Sequence, residues 1–180
     1  MPIRTALRGA RRRMLATSLA LAAAVAGCLG LPSAASAVAG VSGFDSEEKA
    51  ICHQINAYRT ARGLSALRVS AALTRAASWM SLDMASHDTF DHIDSRGRDF
   101  DQRIPAFGYM GLTMAENLAG GEETAVATFK QFKTSPPHRH TMLHKRLKVI
   151  GIGRAYAEES MLGWYWSTTF GAGGERGVAC

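Results

Sequence analysis

The chain has 180 residues and a formal net charge of +6, but that excess sits in one place: Arg4, Arg8, Arg11, Arg12 and Arg13 precede Val38, and no Asp or Glu does. Taking those five from the 21 Lys+Arg leaves 16 against 15 Asp+Glu. The counterion-release term behind non-specific nucleic-acid binding is therefore missing, which excludes nucleic acid as an expected partner.

Residues 1–37 read as a secretory signal: a basic start, an uncharged run from Met14 to Leu31 and small residues at Ala35 and Ala37. Arg11-Arg12-Arg13 resembles a twin-arginine export signal, and Val25-Ala26-Gly27-Cys28 resembles a lipoprotein cleavage box. A membrane is a partner only if Cys28 is acylated or the signal stays uncleaved. Residues 38–44 are a linker and 45–180 a single domain working outside the cytoplasm, in the envelope or beyond it. About 143 residues remain after cleavage, enough for one core and not comfortably two. Two cysteines survive cleavage, Cys52 and Cys180. In an oxidising compartment they read as a disulfide, the alternative being a buried Cys52 and a free terminal thiol.

Asp45 and Glu48 form a capping-box pattern ahead of a helix carrying Ile51, Ile55, Tyr58 and Arg62, which Gly63 stops. Leu64, Leu67 and Val69 follow in extended form. Ser70 caps a second helix whose stripe is Leu73, Ala76, Ala77, Met80 and Met84, its methionines being packing groups. Residues 87–98 form a polar loop whose aspartates lack the ordered spacing of a calcium motif. A brief helix over 99–107 and a turn at 108–111 lead to a strand containing Glu116 and Asn117. Glu122 and Glu123 open a third long helix with Val126, Phe129 and Phe132. Pro136-Pro137 ends it, and His138–Leu143 makes a helical turn. Strands at 149–153 and 164–170 form an antiparallel hairpin. The pattern predicts α+β packing of helices against a small antiparallel sheet.

His92, Glu116, Asn117 and His138 are the side chains able to carry chemistry, and spacing alone does not show that they meet. Singly they read as a loop histidine, a strand carboxylate and its neighbouring amide, and a capping imidazole. Ser135 lacks a nucleophile elbow, and Cys52 lies mid-helix with only adjacent His53 as a local partner, so neither reads as a nucleophile. His140 and His144, four apart, would align on a helix as a second surface metal site or as two solvated histidines.

Several motifs in order resemble the CAP superfamily of cysteine-rich secretory proteins, venom antigens and plant pathogenesis-related proteins, and its bacterial secreted members above all. They are Asn56-Ala57-Tyr58-Arg59 with Gly63 and Leu67, Phe90-x-His92 and Ala115-Glu116-Asn117-Leu118. Ser135-Pro136-Pro137-His138-Arg139, Ile150-Gly151-Ile152-Gly153 and Tyr165-Trp166 complete the set. The resemblance implies a three-layer α-β-α sandwich with a central cleft. In that cleft His92, Glu116, Asn117 and His138 line a ligand site, His92 and His138 ligate a metal such as zinc, and Glu116 serves as ligand, water-orienter or base. The second family glutamate falls at Ser135, and Ala115 and Pro137 replace usual glycines. Three functions stay open: binding of an extracellular small-molecule, lipid or cell-wall ligand, hydrolysis in the same cleft, or a disulfide-clamped interaction module with a vestigial cleft. Fold-level likeness cannot supply a reaction.

Overall fold

Asp45 caps the first helix through the reciprocal bonds its sequence predicts. Its carboxylate accepts from the Glu47 and Glu48 amides, and Glu48 accepts from the Asp45 amide. The computed structural model describes residues 44–174 and 176–180; the signal segment, Cys28 and all of the linker but Phe44 lie outside them. Its elements are α1 (Ser46–Thr60), β1 (Arg68–Val69), α2 (Ala71–His87), α3 (Phe100–Ala106), β2 (Thr113–Gly120), α4 (Ala125–Thr134), α5 (Pro136–Met142), β3 (Val149–Tyr156) and β4 (Trp164–Ala172).

The sheet runs β1-β3-β4-β2. β3 and β4 form the expected antiparallel hairpin and β2 pairs antiparallel with β4, but β1 lies parallel to β3. The sheet is thus mixed, because the chain crosses through α2 and the later helices before β3 returns beside β1. Helices cover both faces, as a three-layer sandwich requires. Ile150, Ile152, Trp166 and Phe170 pack with α1, α4 and α5, while Val149 and Tyr165, on the alternate face, pack with α2.

The α2 face of β3 is closed by glycine. A Cβ on Gly151 would overlap the Leu73 backbone, and one on Gly153 would overlap the Ser78 backbone. The missing side chains let α2 lie directly on the strand. Ser81 then donates to the Gly153 carbonyl at 2.7 Å and Thr169 to the Leu73 carbonyl at 3.0 Å. Met80 and Met84 are fully buried in this layer.

Three local readings change. Arg62 is exposed over the Tyr58 ring, whereas Arg59 is fully buried. Arg59 donates to the carbonyls of Ser65, Met142, His144 and Leu147, so it ties the end of α1 to the turn after α5. Glu122 and Glu123 precede α4, which Thr124 caps. Pro136 and Pro137 begin α5 as well as ending α4, since proline suits a first helical turn whose amides need no intrahelical acceptor. Cys52 and Cys180 form the disulfide, and Val178 bridges to Val69, so the chain end is fastened along β1.

Candidate functional site

β2 pairs on one side only, so its outer edge is where groups from the two helical layers can approach each other around the sheet. Neighbouring residues on a strand point to opposite faces. Glu116 therefore belongs to the α3 side and Asn117 to the α5 side.

The Glu116 side chain has no solvent exposure. One carboxylate oxygen accepts from His92 Nδ1 at 2.9 Å; the other is bound by the Arg103 guanidinium and, at 3.3 Å, by Ser167 Oγ. Arg103 is fully buried and comes from α3, where Asp99 makes a capping box with Gln102. It also donates to the backbone carbonyls of His92, at 3.1 Å, and Arg98, at 3.3 Å. One cation thus holds the His92 backbone while the carboxylate it neutralises holds the His92 ring. With Nδ1–H committed to Glu116, the Nε2 lone pair of His92 is the free one. That ring is 48% exposed, with Phe100 packed edge-on at 6.4 Å.

The loop carrying His92 is built around aspartates that serve the protein itself. Asp83 accepts from the Ser95 amide and hydroxyl. Asp94 accepts from the Arg96 and Arg98 amides and from Arg98 Nε. Burial alone would raise Asp94, but these amide and guanidinium donors outweigh it and hold the carboxyl below its usual range. Asp88, in left-handed backbone at the end of α2, accepts from the Met161 amide and the Tyr165 hydroxyl.

His138 stands on α5, edge-on to Phe132 at 5.3 Å, with a buried Nδ1 that has no hydrogen-bond partner. Its pKa is lowered by burial and then by the charge of His92, so the neutral imidazole is favoured and the two histidines lie within electrostatic reach. Asn117 is buried and donates from Nδ2 to the His138 carbonyl at 3.0 Å. It fixes the α5 backbone.

His92 and Glu116 thus meet directly, Asn117 holds the His138 backbone, and the charge of His92 is felt at the His138 ring. Reading the sequence missed Arg103, which with Ile104 is one of the buried residues of the short capped helix α3. The imidazoles suit a transition metal, with Nε2 of His92 and a nitrogen of the His138 ring as donors. Glu116 has both oxygens engaged, so it orients an imidazole instead of supplying a ligand. Among the described residues no group of three or more His, Cys, Asp or Glu side chains is placed to share an ion. A metal here would rest on two protein ligands and complete its shell with water or a bound molecule.

Ser135 caps α5 without a side-chain bond, and Cys52 is consumed in the disulfide. His140 and His144 are near each other, ring centroids 6.1 Å apart, but α5 ends at Met142 and His144 lies in the turn beyond it.

Helices on both faces of a four-stranded mixed sheet make this the α+β CAP fold. Residues 53–170 match the model of the cysteine-rich secretory protein family, CAP, and the chain belongs to that family. Over 130 residues it is 32% identical to the uncharacterized protein YkwD of Bacillus subtilis (strain 168), covering 72% of this chain and 48% of that protein. The chain thus spans about half the length of that relative. Among solved structures, an extracellular protein containing an SCP domain from Bacillus anthracis superposes with a TM-score of 0.63 at 19% identity, over 71% of this chain and 40% of that one. An outer surface protein from Borrelia burgdorferi gives 0.64 at 21% identity, over 72% and 96%. At these identities the structural likeness speaks for the fold alone.

Proposed function

We propose that this is an exported CAP domain that binds an extracellular ligand at the β2 edge, through the exposed face of His92 and the neutral ring of His138. Residues 1–37 direct export, 38–44 link, and 45–180 form the working domain in the envelope or outside the cell. The extracellular and outer-surface proteins among its structural neighbours support that location.

The observation that carries the binding reading is the complete enclosure of Glu116. A carboxylate whose oxygens are held by Arg103, Ser167 and His92 has no contact with an incoming substrate and cannot easily take its proton. Its arrangement favours orienting an imidazole over acid–base turnover. Phe90 and Ile93, 46% and 47% exposed, flank His92 and offer apolar contact to a lipid-like or cell-wall ligand. A transition metal such as zinc, held by His92 and His138, would supply Lewis-acid attraction for an anionic ligand group.

The test is calorimetric titration of the purified protein with zinc, run in parallel on His92→Ala and His138→Ala. Saturable binding that falls at least about tenfold in each variant supports the two-imidazole site. Unchanged affinity in both variants would refute it. Lipid extraction and mass spectrometry of wild type and His92→Ala then test the organic ligand, whose recovery should drop in the variant.

A further inference from the structure

A cavity beside α5 lies outside the β2-edge site. It has a volume of about 610 Å³ and is lined by Arg139, His140, His144 and Lys145 beside Leu64, Pro136 and Leu143. None of His92, Glu116, Asn117 or His138 lines it. We propose that this pocket binds the phosphate group of an apolar-bearing phosphate ester.

The balanced charge of the domain hides a sharp segregation. From Thr124 to Ala157 there is no Asp or Glu, while Lys130, Lys133, Arg139, Lys145, Arg146, Lys148 and Arg154 all fall there. Among the described residues, Arg139, Lys145, Arg146 and Lys148 form no ion pair with a carboxylate, in contrast to Arg98, Arg103 and Arg154. Behind the pocket lies Arg59, fully buried, its donors spent on the carbonyls of Ser65, Met142, His144 and Leu147 and its charge facing no acid. A buried cation without a counter-charge is electrostatically costly, and an anion seated in front of it relieves that cost.

His144 gives an independent sign of the same field. Its Nδ1 is buried without a hydrogen-bond partner. Its pKa is lowered by burial and then by Arg146, His140, Arg59 and Lys145, so cations surround it. The chemistry of the lining selects the ligand. Arg139, whose Nη1 also donates to the Lys133 carbonyl at 3.1 Å, and Lys145 provide positive charge for phosphate oxygens, and Leu64 and Leu143 provide apolar surface beside them. A bare inorganic anion uses only the first half of that lining.

Titrating the purified protein with inorganic phosphate and with dihexanoyl phosphatidylglycerol below its micellar concentration tests the assignment. The ester should bind at least about tenfold tighter, since it adds apolar contact. Arg139→Glu/Lys145→Glu should weaken ester binding at least about tenfold, and the equally charged Lys49→Glu/Lys130→Glu, outside the lining, by no more than about twofold. Both pairs lie outside the core, and circular dichroism checks that each variant folds. Equal affinity for the two probes, no saturable binding, or equal loss in the two variants overturns the proposal. Cosedimentation with phosphatidylglycerol vesicles but not phosphatidylcholine vesicles, lost in the pocket variant, assigns the phosphate to a lipid headgroup. Soluble ester binding without cosedimentation assigns it to a free solute.

Discussion

Glu116 and Arg103 form a buried pair around which His92 is set, and removing Glu116 leaves Arg103 only the more distant Asp94 carboxylate, at 4.0 Å. Glu116→Gln should cost about 3 kcal/mol or more of folding stability in urea denaturation, while Arg103→Met/Glu116→Leu should cost less than Glu116→Gln alone. An unchanged midpoint for Glu116→Gln would show that the pair is not what holds this edge together. His138 and His144 have lowered pKa values in the folded protein, so the unfolded chain takes up their protons first as pH falls. Their contribution is present above the ordinary histidine value of about 6.5 and is lost as pH drops through it toward the lowered folded values. Melting temperature should therefore decline on acidification from about pH 7 to 5, and His138→Asn with His144→Asn should flatten that decline. An equally steep decline in the double variant would count against this linkage. None of these partnerships follows from spacing. His92 and Glu116 are 24 residues apart, and Arg59 reaches a carbonyl 83 residues away.

The helices were legible because their signals are local. Asp45 with Glu48, Ser70 ahead of Leu73 and Asp99 with Gln102 each satisfy orphan amides within one turn. The boundaries that shifted are those where two readings compete locally: acids suit a helix start, yet Thr124 makes the cap two residues later. Strand β3 shows the opposite case. Its repeating Ile-Gly announces alternation, but only packing explains why the small residues face α2. Gly151→Ala should destabilise by roughly 1–3 kcal/mol, since the added methyl meets helix backbone that cannot rotate away. Chemical denaturation of this variant reads that cost; an unchanged midpoint would deny the close approach.

The disulfide joins α1 to the chain end across 128 residues. Loop-closure models give such a link an upper range of about 4–5 kcal/mol, so reduction or Cys180→Ser should lower the melting temperature by several degrees or more. A melting temperature insensitive to reductant would mean that the unfolded chain is not appreciably constrained by this link. The fastening also positions α1, whose Arg59 backs the cationic pocket, so stability and pocket share one element. The local segregation of charge in that half of the domain was present in the sequence but invisible in a net count, since the acids elsewhere balance it. By itself the sequence determined the helices and the central hairpin and pointed to the family, because caps, periodicity and ordered motifs are written in neighbouring residues. Only the tertiary structure decided that β1 runs parallel to β3, that Arg103 and Arg59 are buried, and that His92 meets Glu116. Those outcomes depend on how layers stack, and stacking is settled by contacts between residues far apart along the chain.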